Sequence, residues 1–489
     1  MDAPSPTPSR SPGRAGPSTG GPVLALACAA QFMVVLDASV VNVALPAVRS
    51  DLGFDRTGLH WVVNGYALVF AGFLLLGGRL ADLYGRKRVF TAGLALFTAA
   101  SAAGGLAGTP GTLVAARAAQ ALGAALLAPA GLTILTTTYP EGAARVRAVA
   151  IWTALASAGG AAGSLLGGVL TEYLTWRATL LVTVPLGVPA LVLAARWLVA
   201  DHLPRPARTS GAARRLDVPG AVSATLGITA LAFALSGVEE RGWGDPRTWG
   251  ALVVAAAGLA LFTADELWLS RSPLIPLRLF RSRAIALGNT AMLLAGACLV
   301  PMWYFLSLYV QEVLHFSAVA TGVGFLPHTL VTVVVGARLA PRLLDRCSAR
   351  ALVAAGALVA AAGFWWQSLL DVDGTYLSAV LGPAVVVSVG TGLLNTPLTT
   401  AVTSGVPAGD AGAASGLANT AKQVGGALGL AALVAVAAPP GPDAHGSRER
   451  LVALTHGFGT AFAVVAVVMA AVAVLALALP RTRDAAAVG

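Results

Sequence analysis

Lysine is almost absent from this chain. Only Lys87 and Lys422 occur among 489 residues. A phosphate-cradling P-loop needs Gly-Lys followed by Ser or Thr. Lys87 is followed by Arg88 and Lys422 by Gln423, so that loop is missing. Any uphill work by this polypeptide is therefore not driven by ATP hydrolysed on it. Charge of either sign is scarce: 11% of residues are charged, against about 25% in an ordinary soluble domain. The three cysteines, Cys28, Cys298 and Cys347, show neither metal-ligand nor disulfide-framework spacing. The histidines, His60, His202, His315, His328, His445 and His456, are equally scattered. A membrane enzyme would want clustered carboxylates, a His-rich metal set or a nucleophile near the membrane surface. The expectation is no enzyme, no metal and no bound cofactor.

What the chain does have is apolar length. Hydrophobic residues make up 56% and mean hydropathy is +0.77. Apolar windows separated by polar loops predict fourteen spans, at about 23–48, 59–80, 89–108, 111–138, 147–172, 178–199, 217–237, 248–269, 284–310, 317–341, 350–370, 376–403, 412–437 and 457–480. The fold class is all-α integral membrane. The loops test the orientation. With the N-terminus inside, 23 Arg and Lys fall on the inner face and 7 on the outer. That asymmetry places both termini in the cytoplasm. It also accounts for the net charge of +10 without nucleic acid as a partner. The Pro- and Ser-rich residues 1–22 read as a disordered cytoplasmic tail, and 481–489 as a second tail.

A weak repeat relates the two ends of the chain. Arg79-Leu80-Ala81-Asp82 resembles Arg338-Leu339-Ala340-Pro341, and Pro129 matches Pro397. Related halves are expected of transporter folds. Residues 23–200 and 284–480 would be six-helix halves, 201–216 a cytoplasmic linker, and 217–270 an inserted helix pair.

One acidic residue stands inside the first apolar run. A carboxylate at that depth costs about 2.5–3.5 kcal/mol on insertion scales, so Asp37 suggests a proton, ion or substrate site. At 100° per residue, Gln31, Ala38 and Asn42 share one helix face, and Asp37 points about 120–140° away. Span 1 should therefore line a central cavity with at least one of these faces. Arg117, in the fourth span, shares a face with Gln120 and Ala124. Two positions are open to it: an interior or cavity-facing one, or the outer interface reached by snorkelling. Gln31, Asn42, Asn64, Gln120, Asn395 and Asn419 are candidate polar groups of the cavity. Gly159, Gly163 and Gly167 repeat every four residues in span 5, with Gly168 beside them, which makes a flat packing face. Lys422 is read near the inner end of its span, snorkelling to the interface.

Several strings resemble the major facilitator superfamily. Gly78-Arg79-Leu80-Ala81-Asp82-Leu83-Tyr84-Gly85-Arg86-Lys87-Arg88 is similar to its loop signature. The segment around Arg117 resembles its fourth-span motif, with Ala121 where Gly is usual. Gly159 to Gly168 resembles its antiporter motif, with Ser164 where Pro usually stands. The string around Asp37, together with Trp61-Val62-Val63-Asn64-Gly65-Tyr66, fits the fourteen-span drug/proton antiporter family, nearest the actinomycete antibiotic-efflux type. The resemblance covers about residues 23–480. It implies the major facilitator fold, two six-helix halves plus two inserted helices. It implies proton-coupled efflux of an amphipathic or cationic drug or antibiotic across the cytoplasmic membrane by alternating access, powered by the proton gradient and conferring resistance. Asp37 and Arg117 would carry proton and substrate coupling. Gly78, Asp82, Gly85, Arg86 and Lys87 would join the span-5 glycines as conformational elements. The partners implied are the drug, protons and the lipid bilayer. A dedicated exporter of an endogenous metabolite or siderophore would use the same fold.

Overall fold

A backbone crossing hydrocarbon has no water to bond, so it must satisfy its own polar groups. This chain does so with helices. The computed structural model describes residues 20–139, 143–198, 217–269, 277–344, 346–403, 411–437 and 447–480. Among these residues there is no strand, and the long helices form fourteen rods. They are α1 (Gly20–Leu52), α2 (Trp61–Tyr84), α3 (Arg86–Gly105), α4 (Pro110–Thr138), α5 (Ala143–Tyr173), α6 (Trp176–Leu181 and Val184–Trp197) and α7 (Val218–Arg241). Next come α8 (Pro246–Ala264, extended by Asp265–Leu269) and α9 (Arg283–Leu308, extended by Tyr309–Val313). The last are α10 (Ala318–Val334, extended through Leu344), α11 (Ala349–Gln367), α12 (Tyr376–Leu381 and Gly382–Thr403), α13 (Ala411–Val436) and α14 (Ser447–Leu477). On the described residues, nine helices are long and apolar enough to cross a membrane, and Trp61–Leu74 and Val222–Leu235 add shorter apolar stretches. The expected tail 1–22 lies outside the described residues except for its last three, which open α1. The expected linker 201–216 and tail 481–489 also lie outside them.

Local chemistry marks the helix ends. Thr109 and Thr112 close a reciprocal capping box at the start of α4. The Asp55 carboxylate accepts from the Gly58 amide at 2.6 Å in the link between α1 and α2. The sharp join of α2 to α3 is made at Gly85, whose φ of 94° a residue with a Cβ adopts only under strain. These features define two ends of the bundle, a Leu52 end and a Gly85 end.

Glycine sets which helices touch. A Cβ on Gly159 would meet the Phe32 carbonyl oxygen at 2.8 Å, one on Gly163 that of Leu36 at 2.6 Å, and one on Gly167 that of Val40 at 2.8 Å. So α5 lies backbone to backbone on α1, step for step. The same device joins α9 to α13: Gly425 faces the Leu293 carbonyl, Gly429 that of Ala297, and Gly296 that of Lys422. Of the inserted pair, α7 packs on α2 and on α13, and α8 packs mainly on α7.

Polar links between the α1–α6 and α9–α14 groups gather at the Leu52 end. Arg49 pairs with Glu312 at 2.9 Å. The Ser307 hydroxyl donates to the Asn42 carbonyl at 2.7 Å, and Gln311 donates to that of Val43 at 3.2 Å. Glu172 accepts from the Val319 amide at 2.9 Å. Beside them α5 crosses α10, with Gly168 against the Ala318 carbonyl and Gly322 against that of Ser164.

A buried ion pair beside a central cavity

Asp37 sits at the middle of α1 and is fully buried. Its Oδ2 accepts from Arg117 Nη1 of α4 at 2.6 Å, and its Oδ1 accepts from Gln120 Nε2 at 2.7 Å. Arg117 is 2% exposed, which places it in the interior and removes the interfacial alternative. The same guanidinium donates to Gln120 Oε1 at 2.6 Å and, through Nε, to the Val62 carbonyl of α2 at 3.2 Å. Its flat face covers the Tyr66 ring, 4.4 Å from the centroid. Gln120 also donates to the Ser101 hydroxyl of α3 at 2.7 Å. Four helices thus converge on one carboxylate and one guanidinium. Desolvating two such charges costs several kcal/mol each, and dense hydrogen bonding of this kind is what offsets it. Removing the charge from either partner strands the other in a low-dielectric site.

The opposite side of α1 faces open space. A cavity of about 300 Å³ lies between the two six-helix groups. From α1 it receives Val35, Ser39 and Asn42; from α5 it receives Gly160 and Ser164; and from α12 it receives Thr391 and Asn395. An aromatic wall is built by Trp303 of α9 with Phe325 and His328 of α10. The Trp303 ring meets His328 edge-on at 4.7 Å and Phe325 at 5.1 Å. His328 Nδ1 lies 2.9 Å from the Ser388 hydroxyl. Lys422 of α13 completes the lining.

Residues 27–430 match the family model described as Major Facilitator Superfamily. The chain belongs to the major facilitator superfamily. Its curated relatives in the superfamily include the cephamycin export protein CmcT of Amycolatopsis lactamdurans, 52% identical over 95% of this chain and 93% of that protein. They also include the puromycin resistance protein pur8 of Streptomyces alboniger, 39% identical over 95% of this chain and 92% of that protein. A solved structure of the peptide transporter POT aligns with TM-score 0.66 at 19% identity, covering 93% of this chain and 95% of that one. A bacterial homologue of the lysosomal transporter Spinster, in an inward-facing and unoccupied conformation, aligns with TM-score 0.64 at 16% identity, covering 94% and 97%. The architecture is that of the superfamily.

The superfamily motifs distribute as follows. Asp37, Arg117 and Gln120 come together; Asn42 and Asn395 face the cavity. The cavity expectation is corrected at four residues. Gln120 is held in the ion-pair network instead. Gln31 shares the Asn42 face but lies one turn before Val35, where the cavity lining of α1 begins. Asn64 is fully buried within α2, away from the cavity lining, because its face of the helix turns into the core. Asn419 is exposed one turn nearer the start of α13. In the loop motif, Lys87 reaches the Ala195 carbonyl of α6 at 2.8 Å. Gly78 and Arg86 are partly exposed beside the buried Gly85. The Asp82 side chain lies outside the described residues. With Ser164 where Pro would bend the helix, α5 runs unbroken, and the Ser164 hydroxyl bonds back to the Gly160 carbonyl at 3.3 Å.

Trp303 and His328 are cavity residues that the sequence did not single out, and Lys422, expected to snorkel to the interface, lines the cavity instead. Lys422 could have been found. It stands eleven residues into α13, about 16 Å at ~1.5 Å per residue, which is half of a ~30 Å hydrocarbon core.

Proposed function

We propose that this chain exports an amphipathic drug or antibiotic across the cytoplasmic membrane by alternating access, driven by protons. The observation that carries this is the placement of a buried carboxylate–guanidinium pair and a cargo-sized cavity on opposite sides of one helix. The export and resistance activities in the names of the cephamycin and puromycin relatives support the direction and the cargo class. Loop charge orients the bundle with the Leu52 end outside. The links at that end then describe a state closed to the outside, with the cavity loaded from the cytoplasm or inner leaflet.

In this reading a proton arriving from outside binds Asp37 and neutralises its carboxylate. Arg117 then loses its counter-charge, and the α1–α4 contact that held one state weakens. Because α1 also lines the cavity and lies backbone to backbone on α5, its movement changes the cargo side. Each proton entering contributes about 2.3 kcal/mol per 100 mV of potential. The test is efflux in everted vesicles under an imposed proton gradient. Asp37→Asn is expected to abolish gradient-driven transport while cargo binding persists. Transport at the wild-type rate in Asp37→Asn would falsify the assignment.

A further inference from the structure

One basic side chain reaches the cavity. Lys422 lines it, and among the described lining residues there is no Asp or Glu. No ion pair or hydrogen bond reaches the Lys422 side chain among the described residues. The cation of the bundle interior at Arg117 is matched by Asp37, so among the described residues Lys422 is the basic group of the cavity without a carboxylate partner. An unpaired ammonium at mid-membrane is expensive and is rarely retained without a partner. Around it the cavity supplies neutral polar groups, Asn42, Asn395 and Thr391, and an apolar wall at Trp303 and Phe325.

We infer that the cargo is anionic: an amphipathic molecule whose carboxylate, or a comparable acidic group, meets Lys422 while its apolar body lies against Trp303 and Phe325. This rests on the export reading above and narrows its cargo. A cationic cargo would enter a site without a counter-charge and with a like charge already present. The sequence alone left amphipathic or cationic cargo as the expectation; the cavity turns that preference toward negative charge. A charge-assisted hydrogen bond in such a site contributes about 1.5–3 kcal/mol, which corresponds to roughly 10–100-fold in affinity.

The test uses one fluorophore in three charge states: a coumarin carboxylate, its neutral ethyl ester, and its amide bearing a trimethylammonium arm. Binding to the purified full chain is read by fluorescence anisotropy. Wild type is expected to prefer the carboxylate over the ester by about tenfold or more, and to bind the trimethylammonium form most weakly. Lys422→Gln should collapse the carboxylate-to-ester ratio toward one, Lys422→Glu should reverse the order, and Lys422→Arg should retain it. The inference is overturned if wild type binds the cationic form as well as the carboxylate. It is equally overturned if Lys422→Gln weakens all three forms alike, or if none of them binds. Efflux of the same probes in everted vesicles separates the two readings. Charge-selective binding without gradient-driven efflux sinks the export reading alone. Gradient-driven efflux that is indifferent to residue 422 sinks the anionic-cargo inference alone.

Discussion

Arg117 shows what a single side chain has to satisfy here. It meets Asp37, Gln120 and the Val62 carbonyl while stacking on Tyr66. A lysine has the charge but neither the planar fork nor the stacking face. Arg117→Lys is therefore expected to lower gradient-driven transport by at least about tenfold, equivalent to ~1.4 kcal/mol, in vesicles with matched protein levels. Arg117→Ala should go further and destabilise the fold by about 3–5 kcal/mol, because Asp37 is left buried and uncompensated; thermal unfolding in detergent reads this. Asp37 was legible as important because an acid in an apolar run needs a reason. Arg117 was named beside it only through the family resemblance, with its interior position left open. Helical phase says which residues share a face but not which neighbouring helix that face meets, and Asn64, polar yet turned into a core, is the counterexample.

At the scale of the element, glycine decides contact distance. Gly159, Gly163 and Gly167 let α5 lie on the carbonyls of α1, and Gly168 does the same one step round the helix against α10. The first three hold a pair within one six-helix group; Gly168 holds the two groups together at one end. Gly168→Leu is expected to push α5 from α10 and favour opening of the Leu52 end. The measurement is the reaction of Asn42→Cys with an impermeant maleimide from that side, with Cys28, Cys298 and Cys347 replaced. Labelling should rise several-fold over the Gly168 parent; unchanged labelling would mean that this contact does not hold the end closed. The four-residue period was visible in the sequence. That Gly168 faces a different helix from its neighbour Gly167 was not, since both belong to one glycine-rich string.

Across the whole molecule, the state observed is closed at the Leu52 end by links of modest strength. The Arg49–Glu312 pair joins α1 to α9 with side chains 23% and 21% exposed. A partly exposed pair of this kind is worth about 0.2–1 kcal/mol and is screened by salt. That suits a gate that must open in every cycle. Glu312→Gln should shift the balance between end-open and end-closed forms by only a few-fold, within about 1 kcal/mol. Distances between spin labels at the tips of α1 and α9 would report it, and raised salt should mimic it in the wild type. A complete loss of the closed form in Glu312→Gln would show that the pair carries more of the closure than its exposure allows.

The sequence by itself determined the fourteen apolar segments, their all-helical state, the loop charge asymmetry, and the opposition of Asp37 and Asn42 on one helix. Each follows from the chain's own composition or from the fixed turn of a helix, and neither requires a neighbour. The tertiary structure alone decided that Arg117 is interior and closes on Asp37, that Gln120 serves the ion pair rather than the cavity, and that Lys422 stands in the cavity wall with no partner among the described residues. Those are facts of register between helices far apart in the chain: Asp37 and Arg117 are separated by 80 residues. Register is set by how glycine faces and side-chain volumes fit together, and that fit is a property of the assembled bundle.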